Sequence, residues 1–235
     1  MSAARDMLCE TARAVFAEGR EEALADAGFD LLLVAESAGG FGGDWGDVTA
    51  VLRIAGGMDP ALPVAESVLG ERLALQGWRA FANVALSAGA LGKALELAVD
   101  HVNTREQFGR TLAKFQSVQQ ALAQLACEVA AVDVAAFALA DRLGRVDGNL
   151  DAARFEVAAA KLRTNRAIGV GTAIAHQMHG AIGFTADYPL HRYTTALMRW
   201  RSEGGNDAHW SRVLGEQVVG LGGVGLWAEM TARAE

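Results

Sequence analysis

Proline and cysteine are scarce in this chain of 235 residues, which contains 3 Pro and 2 Cys. Cys9 and Cys127 lie far apart in the sequence, so neither a disulfide framework nor a metal-ligand spacing is indicated. Runs of β-branched residues, which favour β-strands, are also few. We therefore expect an all-α fold without a bound metal.

A block of positive charge and a long apolar run are also missing. The chain has 21 Lys and Arg against 28 Asp and Glu, a formal net charge of −7, which is unfavourable for binding nucleic acid. No uninterrupted apolar run reaches the roughly 18 to 20 residues of a membrane span, and the N-terminus has no apolar segment of the signal-peptide type. We expect a cytoplasmic protein that binds neither nucleic acid nor a membrane.

Apolar residues are nevertheless abundant, at 51% of the chain. Without a membrane span, so much apolar surface has to be buried between helices or between subunits. The composition therefore favours an obligate oligomer.

The second half of the chain has the spacing of long helices. Apolar residues recur in steps of three and four from Leu112 to Leu143, which predicts one continuous core helix. Other helices are expected over 85–103, 152–178, 189–201 (starting at Pro189) and 206–219. Long helices with short connections predict a four-helix bundle with additional helices.

The first part of the chain is less regular. It predicts two short helices broken near Gly19, a glycine loop over 38–43, and helices over 44–57 and 64–75. We expect an N-terminal helical domain over residues 1–78 and a C-terminal helical bundle over 79–235.

Two sequence motifs resemble binding-site patterns but lack the residues that such sites require. Gly220–Gly225 matches G-x-G-x-x-G, but a dinucleotide site needs a preceding strand and an acidic residue about 20 positions later. His176 and His179 share a helix face, yet no further ligands lie at a helical spacing. We interpret these histidines as packing or surface residues.

The segment around Arg105 carries more specific information. Arg105, Gln107 and Phe108 precede Gly109, and Phe115-Gln116-Ser-Val-Gln119 follows. A guanidinium suits the oxygens of a pyrophosphate. The pattern R-x-Q-F-G followed by F-Q-x-V-Q resembles the C-terminal domain of the acyl-CoA dehydrogenases. The resemblance implies that Arg105, Gln107, Phe108 and Gln116 reach the FAD of a neighbouring subunit.

A second stretch carries the same resemblance. Gln177-Met-His-Gly180-Ala181-Ile-Gly-Phe and Tyr188-Pro189 are similar to that family's Q-x-x-G-G-x-G-F and Y-P motifs, with Ala181 in place of the second glycine. The resemblance implies that Gln177, Gly180 and Ala181 contact the adenosine diphosphate part of FAD. The glycine turn after Val34 also resembles a turn in the N-terminal part of that family.

The chain departs from the family in its middle. The family places a β-domain between its N-terminal and C-terminal helical domains, and no strand pattern is found here. The resemblance therefore implies an acyl-CoA dehydrogenase fold without the middle β-domain, the part that covers the flavin ring and helps to hold the acyl-CoA.

The candidate catalytic residue also departs from the family. Trp200-Arg-Ser-Glu203-Gly204-Gly205 resembles the family's Y-E-G-T string, which implies that Glu203 is the base. Gly205 replaces the threonine, however, and the interval from Pro189 is one residue shorter, which would turn a helical side chain by about 100°. The alternative is a carboxylate at a helix end, paired with Arg199 or Arg201.

The resemblance implies that an acyl-CoA thioester is desaturated between its α and β carbons with FAD as cofactor. We expect the chain to be a subunit that completes the FAD site of a full-length acyl-CoA dehydrogenase partner; bulky CoA thioesters such as steroid side-chain fragments are a possible substrate class. A self-associating flavoenzyme and a non-catalytic helical protein that kept the fold without the flavin are the alternatives.

Overall fold

A computed structural model describes residues 3–59 and 61–234 of the chain. Over these residues the chain folds as helices, with a single short hairpin of two strands. The α-helices are α1 Ala3–Glu18, α2 Glu21–Asp26, α3 Trp45–Met58, α4 Val64–Leu69, α5 Gln76–Thr104, α6 Gln116–Arg145, α7 Arg154–His179, α8 Leu190–Ser202 and α9 Asp207–Ala234. The strands are β1 Glu106–Gln107 and β2 Arg110–Thr111. The predicted all-α fold is confirmed.

The N-terminal region follows the sequence prediction as far as α4, which ends at Leu69; a 3-10 helix over Gly70–Ala74 takes the place of the rest of the predicted helix 64–75. Gly19, with a φ of 65°, separates α1 from α2 as expected. Helix α3 begins at a capping box, in which Asp44 and Asp47 each accept a hydrogen bond from the other's backbone N–H. Arg5 of α1 donates to both carboxylates, at 2.7 Å and 2.6 Å. These ion pairs hold α1 against the start of α3.

Helix α5 begins earlier than predicted. The sequence placed its start near residue 85, but the helix begins at Gln76. Trp78 and Phe81 are buried in this first part, where Trp78 stacks on Trp45 with ring centroids 4.5 Å apart. These buried aromatic residues extend the helix by nine residues before the predicted start at 85. The proposed domain boundary at residue 78 lies inside α5, and the two-domain division stays a prediction.

Helices α3 and α5 cross at very short range. A Cβ added at Gly56 would lie 2.0 Å from the carbonyl oxygen of Leu86, and one added at Gly89 would lie 1.8 Å from that of Arg53. Only glycine permits this approach, since real Cβ atoms do not come so close to backbone. The crossing joins the N-terminal helices to the bundle, and one hydrophobic core extends through both.

Helix α6 is continuous across Val129, but it starts at Gln116 rather than at Leu112. Leu112–Lys114 form a separate 3-10 turn, because the N–H of Leu112 donates to the Arg105 carbonyl and Phe115 is extended, at φ −90° and ψ 129°. One face of α6 is buried through Leu125, Val132, Ala136, Leu139 and Leu143. The opposite face exposes Ala123, Cys127, Ala130, Val134 and Phe137.

The remaining helices complete the bundle. Pro189 precedes α8 as predicted. Helix α9 is longer than the predicted 206–219, because it continues past a kink at Gly222, where φ is 66°. Met230 of this extension reaches a cavity between α6 and α7, a tertiary contact that local sequence does not reveal. Gly220–Gly225 lie inside α9, with helix before and after them.

Helices α5 and α6 have the length and composition of membrane spans. The apolar window of α5 is 61% buried inside the protein, as in a core helix, whereas that of α6 is 22% buried. Core helices of soluble proteins meet the same criteria, so this signal is weak evidence for a membrane span. The expected cytoplasmic location stays a prediction.

Candidate functional site

One end of the bundle gathers the two sequence motifs. Helices α5 and α7 both end there, and the rings of His101 and His179 stack with centroids 4.8 Å apart. Arg105 follows His101 by one helical turn, and Gly180 directly follows His179. The structure therefore places the R-x-Q-F-G and Q-x-x-G motifs at the same end, which we call the Arg105 end.

Arg105 itself is exposed at the end of α5. Its backbone N–H donates to the His101 carbonyl at 2.9 Å, and its carbonyl accepts from Leu112 at 2.9 Å. Among the residues that the structure describes, its guanidinium has no hydrogen bond or ion pair. The backbone of Arg105 is thus fixed by the fold while its charged group faces solvent.

The β1–β2 hairpin carries Phe108 at its tip. Phe108 has a φ of 54°, and its side chain is 92% exposed. A non-glycine residue in this region of backbone conformation is uncommon. Its ring lies 6.3 Å from that of Phe115, over which the Arg110 guanidinium stacks at 4.0 Å. An aromatic ring is thereby held out into solvent at the tip of the hairpin that follows Arg105.

The other predicted residues of this end are also exposed. Gln107 donates to the Glu106 carbonyl at 2.8 Å, and Gln116 is the first residue of α6. The residue before it, Phe115, gives no side-chain cap to the helix. Free backbone N–H groups at such a helix start favour an anion.

Gln177, Gly180 and Ala181 are exposed at the end of α7. Gly180 has φ 63° and ψ −143°, a conformation that is essentially restricted to glycine. A Cβ added there would contact nothing within 4 Å. The backbone at this position is therefore open to an approaching group.

Sequence reasoning missed a polar cluster beneath these residues. The Nε2 atom of His179 lies 3.1 Å from the Tyr188 hydroxyl, and its Nδ1 atom lies 2.7 Å from the Ala175 carbonyl oxygen. Burial lowers the pKa of the His101 imidazole, and positive charge on His179 and Arg105 lowers it further. The sequence contains one indication of this cluster: His101 lies in the last turn of α5, four residues before Arg105.

The other histidine of the pair has different neighbours. The Nε2 atom of His176 lies 3.0 Å from the Thr194 hydroxyl, and its ring stacks on Phe184 with centroids 4.1 Å apart. His176 and His179 thus pack against different side chains. Among the described residues, no group of three or more His, Cys, Asp or Glu side chains could hold a metal ion.

Glu203 lies at the opposite end of α8, which we call the Glu203 end. Its carboxylate is 44% exposed and lies 3.7 Å from the Arg199 guanidinium. It borders a cavity of about 410 Å³. The cavity is lined by Leu62, Leu73, Ala82, Asn83, Leu86 and Trp200, among others. A carboxylate at a cavity of this kind could accept a proton from a molecule bound inside it.

The loop that carries Glu203 is tightly held. Asn83 donates to the Glu203 carbonyl at 3.0 Å, and Trp210 donates to the Gly204 carbonyl at 2.8 Å. Gly204 has a φ of 68°, and a Cβ there would lie 2.7 Å from the Ala80 backbone nitrogen. These two glycines after Glu203 are therefore required by the packing, which explains Gly205 where the family often has threonine: its own Cβ would lie 2.3 Å from Trp210.

The structure does not bring Glu203 together with the other predicted site residues. Asn83, which holds the Glu203 loop, and His101, beside Arg105, are 18 residues apart on α5. At 1.5 Å per residue this corresponds to about 27 Å. One chain therefore carries two separate groups of candidate residues.

Comparison with known proteins identifies the fold. The family model for the acyl-CoA dehydrogenase C-terminal domain matches residues 74–219, more than half of the chain. The chain belongs to the acyl-CoA dehydrogenase family. The match contains both the Arg105 end and Glu203. The helical acyl-CoA dehydrogenase fold without its middle β-domain, expected from the sequence, is confirmed for the described residues.

Relatives match part of their own length. The chain is 33% identical to 3-sulfinopropanoyl-CoA desulfinase of Paraburkholderia xenovorans over 139 residues, which are 59% of this chain and 33% of that protein. The chain thus spans about a third of the relative's length.

Two solved structures illustrate a partial match and a nearly complete one. The ChsE4–ChsE5 complex from Mycobacterium tuberculosis matches at 26% identity with a TM-score of 0.56, over 60% of this chain and 38% of that chain. A chain of the Tcur3481–Tcur3483 steroid acyl-CoA dehydrogenase matches with a TM-score of 0.75 over 97% of this chain and 98% of its own length, at 18% identity. At that identity the likeness concerns the fold, which has the same extent in both chains.

Proposed function

We propose that this chain is a subunit of an FAD-dependent acyl-CoA dehydrogenase that desaturates an acyl-CoA thioester, and that a full-length partner subunit completes its FAD site. The observation that carries the proposal is the separation of the two ends by about 27 Å along α5. The Arg105 end exposes its candidate side chains to solvent, and the Glu203 end borders a cavity about 27 Å away along α5. Family membership supplies the type of reaction.

The Arg105 end fits the phosphate-bearing part of FAD. Its guanidinium has no partner among the described residues, the start of α6 offers free N–H groups, and Gly180 leaves the backbone open. Charge-assisted hydrogen bonds from arginine and a helix start are the usual way to hold a pyrophosphate. In this proposal Arg105, Gln107, Gln116, Gln177, Gly180 and Ala181 hold the diphosphate and its adenosine, with Phe108 against the cofactor.

The Glu203 end fits the removal of a proton. The carboxylate lies at the cavity edge, where the α-carbon of a thioester could approach it, and the Arg199 guanidinium lies 3.7 Å away. We assign Glu203 the role of general base. Bound FAD would supply the acceptor for the hydride from the β-carbon, and this chain orients the thioester for that transfer.

The proposed partner is a full-length acyl-CoA dehydrogenase subunit, with a second copy of this chain as the alternative. The complete fold match is to a chain of an enzyme named as the pair Tcur3481–Tcur3483, and a further neighbour is the ChsE4–ChsE5 complex. The exposed apolar face of α6 supports association. The Tcur3481–Tcur3483 enzyme is named as a steroid acyl-CoA dehydrogenase, which supports a bulky CoA thioester as the substrate class here.

Coexpression tests the proposal. The chain is purified alone and together with a full-length acyl-CoA dehydrogenase that is encoded in the same genome. Flavin absorbance and α-proton exchange in acyl-CoA are then measured for both preparations. We expect a colourless chain alone and a yellow, active complex. A yellow, active chain alone would instead indicate a self-sufficient homo-oligomer. A colourless and inactive product in both cases would indicate the non-catalytic helical protein.

Product analysis decides between desaturation and other family chemistry. The desulfinase relative bears a name that describes a different reaction on a CoA thioester. We expect the complex to form an α,β-unsaturated acyl-CoA, measured by mass loss of two hydrogens. A product of unchanged hydrogen content would contradict desaturation.

A further inference from the structure

Lys161 is a charged side chain in the centre of the bundle. It lies on α7 and is 0% exposed. Its ammonium donates to the carbonyl of Trp200 at 2.5 Å, to the Asn165 side-chain oxygen at 2.7 Å and to the carbonyl of Arg201 at 3.4 Å. An ammonium has three N–H donors, and each one has an oxygen here. Burying a charge in this way is unfavourable unless it is fully hydrogen-bonded.

The two carbonyls that Lys161 binds belong to the last turn of α8. The last four carbonyls of a helix lack partners within the helix. At this helix end Lys161 donates to the carbonyls of Trp200 and Arg201. Asn83 donates to the carbonyl of Trp200, at 3.4 Å, and to that of Glu203. The chain then leaves the helix at Glu203, where φ is −72° and ψ is 148°. Buried side chains from α5 and α7 thus hold the backbone directly before the proposed base.

Several charged groups face the Lys161 ammonium. Burial lowers the pKa of Lys161 to about 8, whereas the negative charges of Asp207 and Glu203 raise it and the positive charge of Arg201 lowers it. Asp207 is itself held by Arg201 at 2.8 Å. The hydrogen bonds and the two carboxylates explain how a charged lysine is tolerated at this position.

We propose that Lys161 is the positioning residue for Glu203: its ammonium fixes the last carbonyls of α8 and thereby aims the carboxylate of Glu203 into the cavity between α4, α5 and α8. The inference rests on the proposed function, because positioning matters for the reaction only if Glu203 is the base. Lys161 does not contact the cavity, so its effect acts through the backbone of α8.

Hydrogen exchange of the peptide 200–206 tests the hold on the loop. Lys161→Met removes all three hydrogen bonds at similar side-chain length, and Lys93→Met on α5, which loses a single bond to Glu96, is the control. We expect at least about tenfold faster exchange of this peptide in Lys161→Met, with exchange of the α3–α5 crossing unchanged. Unchanged exchange of peptide 200–206 in a folded Lys161→Met protein would overturn the proposal.

Wild-type protein provides a second measurement if Lys161→Met does not fold. The protection factor of peptide 200–206 is followed from pH 7 to pH 9.5, after correction for intrinsic exchange. Because the pKa of Lys161 is lowered in the folded protein, an opening that hydrates this ammonium takes up a proton above pH 8, so we expect the protection of peptide 200–206 to rise through about pH 8, while α1 and α3 show no such step. Constant protection across this range would overturn the role of the ammonium.

Catalysis separates positioning from general structural support. In the reconstituted complex we expect Lys161→Met to lower kcat for α-proton exchange at least about tenfold with KM for acyl-CoA nearly unchanged, since small displacements of a base reduce rates strongly. Equal losses in Lys161→Met and Lys93→Met would overturn the proposal. An inactive wild-type complex would refute the proposed function instead, and the hydrogen-exchange results would still decide whether Lys161 holds Glu203.

Discussion

The two ends of the bundle are built in opposite ways. At the Arg105 end, charged and aromatic side chains stand in solvent on a backbone that the hairpin fixes. At the Glu203 end, backbone carbonyls are bonded by buried side chains, and glycines are packed against α5 and Trp210. The difference fits the proposal that another molecule completes the Arg105 end, whereas residues of this chain alone hold the Glu203 loop.

The difference also predicts how each end responds to substitution. Changes at the Arg105 end should alter ligand binding and leave the stability of the protein nearly unchanged. Changes at the Glu203 end should alter stability as well as chemistry, since buried hydrogen bonds are lost. The expected effects below run from the largest to the smallest.

Glu203→Gln should have the largest effect on activity. The amide has the shape of the carboxylate but cannot accept a proton, so α-proton exchange should fall by about 10² to 10⁴ in the reconstituted complex. Flavin content should be unchanged. Glu216→Gln is a matched control, because Glu216 also pairs with an arginine four residues away on a helix, at 3.0 Å. An unchanged exchange rate in Glu203→Gln would place the base on the partner subunit.

Gly204→Ala and Gly180→Ala compare the two ends directly. Both glycines have positive φ, at 68° and 63°, so both substitutions introduce backbone strain, about 1–3 kcal/mol each. Only Gly204 also has backbone 2.7 Å from the new Cβ, and Gly180 has nothing within 4 Å. We expect Gly204→Ala to destabilise the protein clearly more in chemical denaturation. Equal destabilisation would mean that the Glu203 loop is not tightly packed.

The buried lysine predicts a pH dependence of stability. The pKa of Lys161 is about 8 in the folded protein and 10.5 for an ordinary lysine. Between these values the unfolded chain binds a proton that the folded chain has lost, so stability rises with pH, by about 3 kcal/mol over the whole range. Below pH 8 both states are protonated and this contribution is flat. Denaturation curves from pH 7.5 to 10.5 should show the rise in the wild type and not in Lys161→Met.

Arg105→Ala should weaken FAD binding without changing the fold. Loss of a charge-assisted contact worth about 1.5–3 kcal/mol corresponds to a loss of affinity of at least about tenfold. The melting temperature without FAD should remain the same, and Arg105→Lys should restore little, because an ammonium cannot form a planar fork. Flavin titration of the complex measures this, with the exposed Arg13→Ala of α1 as control. A collapsed melting temperature would show that Arg105 has a structural role.

The sequence predicted the helical content and the main helices because their apolar spacing is strong and local. It misplaced the starts of α5 and α6 and the ends of α4 and α9, and three of these four depend on contacts elsewhere in the chain. Helix α5 starts early where Trp78 packs on Trp45, α6 starts late where the Leu112 N–H donates to the Arg105 carbonyl, and α9 extends to a cavity that Met230 lines together with residues of α6 and α7. Helix ends depend on such tertiary contacts, which periodicity does not contain.

The candidate site was predictable only in its exposed parts. Arg105 and Phe108 belong to a short contiguous motif, and such a motif can be recognised from the sequence alone. The supporting residues Asn83, Lys161 and Trp210 come from three different helices and have no common sequence pattern. Their importance follows from the carbonyls that they bind, and these become visible only in the folded chain.

The two ends of the bundle differ in their tryptophan content, and therefore in their intrinsic fluorescence. Trp200 and Trp210 border the Glu203 loop, and Trp45 and Trp78 stack near the start of α5, against which that loop lies. Among the described residues, the Arg105 end has phenylalanine, histidine and Tyr188 instead. The fifth tryptophan, Trp227, is 72% exposed on the part of α9 beyond the kink. In a Trp227→Phe background, tryptophan emission will therefore report changes around the proposed base, whereas events at the Arg105 end will need an added label.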